Sequence, residues 1–122
     1  MSTRILYVDD EPDIREIAVL SLQLDAAFDV RACGSGPEAL EIAAAWMPNL
    51  ILLDVMMPGM DGPTTLARLR ESAPVRHIPV VFVTARAQAR EGDKFLAMGA
   101  RGVISKPFAP LALAANVRTF LE

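Results

Sequence analysis

The sequence predicts an α/β fold in which a doubly wound parallel sheet is covered by helices on both faces. Five short apolar runs, Ile5–Val8, Phe28–Cys33, Leu50–Leu53, Ile78–Val83 and Gly102–Ser105, alternate with segments of helical character. Such regular alternation is the pattern of repeated βα units. The runs around Leu50 and Val80 are apolar at every position, as strands buried on both faces of a parallel sheet are. The chain has 122 residues, 52% of them hydrophobic. That suits one domain, spanning residues 1–122, which can take about two thirds of its unfolded surface out of water.

The elements follow in order. The first strand, Ile5–Val8, runs into acids, and Pro12 then sits in the first turn of a helix whose inner face is Ile14, Ile17, Ala18 and Ser21. "FDVRAC" alternates apolar and polar positions, as an edge strand does. In "SGPEALEIAAAW", Ser35 and Glu38 have capping-box spacing, the alanines sustain the helix, and Pro48 ends it. After the third strand, Gly62–Pro63 opens a helix to about Arg70. After the fourth, "ARAQAREGDKFLAMGA" reads as one helix, weakened by Gly92 and by a poor apolar stripe in its first half. Pro110 starts the last helix, with Leu113, Val117, Phe120 and Leu121 on one stripe. Right-handed crossovers leave few ways to arrange these parts.

Composition narrows the function. With 15 acidic residues against 12 Lys and Arg, the net charge is −3, which argues against direct nucleic-acid binding. The single cysteine, Cys33, cannot form an intramolecular disulfide and reads as a small buried hydrophobe. No apolar run approaches the roughly 18 residues of a membrane span, and the N-terminus lacks the apolar core of a signal peptide. A cytoplasmic location is expected. His77 reads as an exposed loop residue, and Trp46 with Met56, Met57 and Met60 as packing or loop contacts.

The chemistry gathers at the carboxyl ends of the strands. Asp9 and Asp10 follow the first strand, Asp54 ends the third, Thr84 ends the fourth and Lys106 follows the fifth. Open α/β sheets bind ligands at that edge, where the strand order reverses. If the first and third strands are neighbours, three carboxylates meet, and each pair at ~4 Å repels by about 4 kcal/mol at an effective dielectric near 20. Such a site must take up a proton, bind a cation or pair with Lys106. Hard oxygen ligands without His or Cys favour Mg²⁺. A carboxylate is also a competent nucleophile for phosphoryl transfer, giving an aspartyl-phosphate. Lys106 would hold a phosphate oxygen as a point charge, and the Thr84 hydroxyl would donate to another. Taken alone, Asp9, Asp10 and Glu11 are equally well explained as acids complementing the first helix's dipole. Asp61 reads as a turn and cap residue.

At this point the sequence resembles the receiver domain of two-component response regulators over essentially its whole length, in the manner of the single-domain chemotaxis regulators. "ILYVDDEPDIRE" is similar to the family's acidic-pair segment and "DVMMPGMDG" to its phospho-acceptor signature. "VVFVTA" resembles the strand ending in the switch threonine, and "GARGVISKPF" the lysine–proline segment. The resemblance implies a flavodoxin-like five-stranded sheet of order 2-1-3-4-5. It implies that Asp54 accepts phosphate from the phosphohistidine of a sensor histidine kinase or phosphotransfer protein. Asp10, Asp54 and the backbone carbonyl of Met56 would ligate Mg²⁺, with Asp9 assisting largely through water. Thr84 and Lys106 would contact the phosphoryl group, Ala85 would leave room beside it, and the Lys106–Pro107 bond would be cis. The surface of the fourth helix, fifth strand and fifth helix would dock a downstream protein partner.

One position departs from the family. Many receivers carry an aromatic residue three before the lysine, and here that residue is Val103. Valine has one χ angle and little reach, so it cannot report phosphorylation as a swinging ring does. Met56 and Arg86 are expected beside the path of a hydrolytic water, where neither favours attack, implying a moderately to long-lived phosphoryl group. Without an attached output domain, the chain is expected to act on a protein or in a relay; a receiver excised from a multidomain regulator or hybrid kinase is the alternative. Two other classes fit less well. A Mg²⁺-dependent phosphohydrolase would carry its nucleophile after the first strand in an Asp-x-Asp pattern, and the intact acids, Thr84 and Lys106 argue against a pseudo-receiver. The chain is therefore expected to catalyse its own phosphorylation and dephosphorylation only, and not to be an enzyme acting on a metabolite.

Overall fold

The computed structural model describes residues 2–121. Five strands alternate with five helices: β1 (Thr3–Val8), α1 (Pro12–Leu22), β2 (Phe28–Cys33), α2 (Gly36–Trp46), β3 (Leu50–Asp54), α3 (Gly62–Glu71), β4 (Val80–Thr84), α4 (Ala89–Ala97), β5 (Gly102–Ser105) and α5 (Leu113–Leu121). All pairings are parallel and the order is β2-β1-β3-β4-β5. Every position of β3 and β4 is buried, whereas the edge strand β2 alternates.

The two-residue period of the strands divides the core into two layers. Leu6, Val8, Ile51, Leu53 and Phe82 face Ala39, Ala43, Leu66, Leu69 and Phe95 of α2, α3 and α4. Ile5, Tyr7, Leu52, Val83 and Ile104 face Ala18, Leu22, Leu113 and Val117 of α1 and α5. Apolar burial at about 25 cal/mol per Å² makes these layers the main source of stability.

Several boundaries differ from the sequence reading. β4 begins at Val80, because Pro79 has no N–H for the ladder and the Ile78 N–H already bonds Val75 in the preceding turn. On α1 the inward residues are Ala18, Ser21 and Leu22, one helical face, and this spacing turns Ile17 outward to 43% exposure. At α2, Ser35 caps the Glu38 N–H, but the Glu38 carboxylate takes the Ser35 hydroxyl instead of a backbone N–H, so the box is half formed. Met47 closes that helix in the left-handed region at φ 53°. Only the middle of "ARAQAREGDKFLAMGA", Ala89–Ala97, is helical. The Thr84 hydroxyl accepts the Arg86 N–H, which draws the chain into a loop before α4. Pro110 lies in a turn closed by Ala112 N–H on the Ala109 carbonyl, and α5 proper starts at Leu113. Its stripe is as expected, with Leu113 and Val117 buried.

Candidate functional site

Strand register assembles the site. Val8 pairs with Leu53, so Asp9 emerges beside Asp54. Thr84 pairs with Ser105, which places Lys106 on the same edge. Asp9 is 0% exposed, Asp54 4% and Thr84 3%, while Asp10 is half-buried. One oxygen from each of Asp9, Asp10 and Asp54 lies within 4.8 Å of the others. The loop after Asp54 is folded back by Asp61, which caps α3 through the Thr64 N–H at 2.8 Å. Gly62 is obligatory there, since a Cβ would lie 2.5 Å from the Asp54 carbonyl oxygen. The "DG" pair therefore shapes the site.

The buried carboxylates of the site are held by named partners. Lys106 Nζ bridges the acids, 2.7 Å from Asp9 Oδ2 and 3.3 Å from Asp54 Oδ2. Asp9 Oδ1 accepts the Glu11 N–H at 3.0 Å. Its Oδ2 also accepts the Tyr7 hydroxyl at 3.1 Å, and its backbone carbonyl accepts Arg15 Nη1 at 2.8 Å. Among the described residues no buried side-chain nitrogen or oxygen lacks a partner.

The electrostatics follow. Burial, then the charge of Asp9, raises the Asp54 carboxyl to about 6, with Lys106 pulling the other way. Burial weakens the charged form of Lys106, but the hydrogen bond and charge of Asp9, with the charge of Asp54, outweigh it and hold the ammonium above an ordinary lysine. Burial and the neighbouring Asp9 push the Tyr7 phenol far above its usual range, so it donates to Asp9 as a neutral hydroxyl. Cys33 is buried, and its thiol is pushed up to about 11, which makes it unreactive.

Three oxygen donors without nitrogen or sulfur suit a hard divalent cation, and Mg²⁺ fits this acidic pocket. The remaining residues form the rim. Met56 is 74% exposed and, with Thr84 and Arg86, lines a cavity of about 170 Å³ that reaches Phe95 of α4 and Met98 just after it. The Lys106–Pro107 bond is cis. Ala85, Lys106, Pro107 and Phe108 line an apolar groove of about 340 Å³ with Ile14 and Ile17 of α1. Val103 is half-buried in a second cleft of about 390 Å³, beside Phe108 and Phe120. The Phe120 ring occupies the space over Gly102, where a Cβ would clash with it at 2.2 Å. His77 is exposed and Trp46 is packed, as expected.

The sequence reading missed Tyr7 and Arg15. Arg15 bonds a backbone atom, which leaves no sequence trace. Tyr7 did leave one: it stands two residues before Asp9, and strand residues two apart point the same way.

The sequence model of the family described as the response regulator receiver domain matches residues 5–118. The chain belongs to that family. Response regulator PleD of Caulobacter vibrioides is 43% identical over 98% of this chain, and the match covers 26% of PleD. Response regulator Rre1 of a Synechocystis strain is 38% identical over 96% of the chain, covering 51% of Rre1. The receiver domain thus spans between a quarter and a half of the length of these curated relatives. The chemotaxis response regulator CheY4 of Vibrio cholerae superposes with a TM-score of 0.89 at 29% identity, over 98% of this chain and 99% of that one. This is a two-component receiver domain with the flavodoxin-like fold, and no helix among its described residues is long and apolar enough to cross a membrane.

Proposed function

We propose that residues 1–122 form a phosphorylation-controlled switch in which Asp54 accepts a phosphoryl group from the phosphohistidine of a sensor histidine kinase or phosphotransfer protein. One observation carries this reading: a buried carboxylate ends the central strand, leaning on Lys106 and facing two further acids. That arrangement is costly to build for structural reasons alone. An Asp54 oxygen forms the new P–O bond as the P–N bond to the histidine ring breaks, its electron pair leaving with the ring nitrogen. Asp10, Asp54 and the Met56 carbonyl would hold Mg²⁺, with Asp9 supporting it through water. When bound, Mg²⁺ neutralises charge on the transferred group. Lys106 turns to a phosphoryl oxygen, the Thr84 hydroxyl donates to another, and the exposed Ala85 leaves the approach open.

The apolar groove beside Lys106 supports docking of the phosphodonor, since it adjoins the acceptor and offers Ile17 and Phe108 to a partner's apolar side chains. Thr84 contacts the cavity that α4 closes, so its movement toward phosphate would reshape α4 and the α4–β5–α5 surface for a downstream protein partner. Val103 gives that movement no ring to swing, which leaves α4 as its main recipient. We place the protein in the cytoplasm, acting on a protein partner or in a phosphate relay without direct nucleic-acid contact. It turns over no external metabolite. The reading is the same for a free-standing regulator and for the receiver unit of a longer one.

The test is intact mass after incubation with a small acyl-phosphate donor. One phosphoryl adduct is expected with Mg²⁺, none without it, and none in Asp54→Ala. The adduct should persist for minutes after donor removal. A folded wild type that gains no mass would leave the surface as a constitutive binding module, and loss of the adduct within seconds would refute the roles given to Met56 and Arg86.

A further inference from the structure

We propose that Tyr7 is a positioning residue of the phospho-acceptor site, its hydroxyl keeping Asp9 satisfied so that Lys106 is free to move to the phosphoryl group. The inference rests on the reading of Asp54 as acceptor. It arises from a hydroxyl that packing does not explain. Tyr7 is fully buried on β1, and its one side-chain polar atom meets Asp9 Oδ2 at 3.1 Å. The same oxygen takes Lys106 at 2.7 Å, much closer than the 3.3 Å from Lys106 to Asp54. At rest the lysine therefore leans more closely on Asp9 than on the acceptor.

That geometry sets a problem for phosphorylation. To reach an oxygen on phosphorylated Asp54, Lys106 must shift away from Asp9 and loosen its 2.7 Å contact, the shorter of the two it makes. Asp9 is fully buried, and a buried carboxylate oxygen stripped of its donor is strongly disfavoured. The Glu11 N–H serves only Oδ1 and Arg15 serves only the backbone carbonyl. Among the described residues Tyr7 is the remaining protein donor to Oδ2, and its hydroxyl is neutral, so it satisfies the oxygen without competing for the phosphoryl charge. With phenylalanine at this position, Lys106 would be the sole side-chain donor to Oδ2 and would be held back from the phosphoryl group.

The chain has one tyrosine, which makes the test specific. Tyr7→Phe keeps the ring, which packs edge-on against Phe108 at 6.4 Å, and so keeps the fold. Beryllofluoride, a non-covalent phosphoryl mimic, would be titrated into wild type and Tyr7→Phe at saturating Mg²⁺. The variant is expected to bind it about five- to tenfold more weakly, the size of effect one net hydrogen bond supplies. In parallel, wild type grown with fluorotyrosine carries the label at position 7 alone. Its ¹⁹F resonance should move when beryllofluoride binds, as Tyr7 becomes the main donor to Oδ2. Affinity within twofold of wild type, or a ¹⁹F line that stays put, overturns the inference, because a packing role would produce no such pair of effects. If wild type itself binds no beryllofluoride and gains no phosphoryl group, the acceptor reading falls and this inference falls with it.

Discussion

At the scale of single residues, the fold makes one acid of the site, Asp54, uncomfortable. In the metal-free protein the Asp54 carboxyl sits at about 6 against an ordinary 3.8. The folded chain thus binds this proton more tightly than the unfolded chain does. The resulting stability is complete below about pH 3.8 and is lost as pH rises through about 6. Asp54→Asn mimics the protonated form, so in chelator it should be more stable than wild type at pH 7 by on the order of 2 kcal/mol. By pH 5 that advantage should fall to roughly half, and below pH 4 it should nearly vanish. Urea unfolding of both proteins across this range checks the sign, and a difference independent of pH would refute it. The placement of the acids, Thr84 and Lys106 at one sheet edge was legible from the sequence, because a strand's end is fixed by where its apolar run stops. The hydroxyl of Tyr7 was overlooked, because in "ILYV" it reads as one more apolar position, although its place two residues before Asp9 sets both side chains on one face.

Among the elements, α4 stands apart. It has nine residues, its N-cap Gln88 makes no side-chain capping bond, and Gly92 sits in its interior. Missing caps and a central glycine each cost about 1 kcal/mol. Its anchor is Phe95, whose ring lies 5.0 Å from that of Phe82 on β4. Amides of α4 should therefore exchange with solvent through local opening well before those of β3. Hydrogen exchange followed by mass spectrometry measures this, and protection in α4 equal to that in β3 would show the helix to be a rigid part of the sheet's layer. The sequence identified this element as the weak one but overstated its length. Residues 85–88 have ample helical propensity and lose it to a single hydrogen bond, from Arg86 N–H to the Thr84 hydroxyl. α5 was overextended for a related reason, since proline serves a turn as well as a first helical residue.

For the whole molecule, ligand binding and folding are linked, because the three acids meet only when β1 and β3 pair. Mg²⁺ at ten times its dissociation constant should add about 1.4 kcal/mol to stability, raising the melting temperature by roughly 5 °C for a domain of this size. Scanning calorimetry with and without Mg²⁺ tests this, and an unchanged melting temperature at millimolar Mg²⁺ would remove the cation from the site. The α/β class itself was the most legible property. It follows from two fully apolar strands flanked by helical segments, which few other architectures accommodate. The order of the strands was not contained in that pattern and came only through the resemblance to other receivers.

Phe108 connects two surfaces that have been described separately. It lines the apolar groove beside α1 and also the cleft beside Val103, and its ring rests against Tyr7. A partner that turns this ring from one side alters the wall presented to a partner on the other. Thermodynamic reciprocity then requires the influence to be mutual. An input protein and an output protein on this receiver would compete or cooperate through one shared side chain, without ever touching each other.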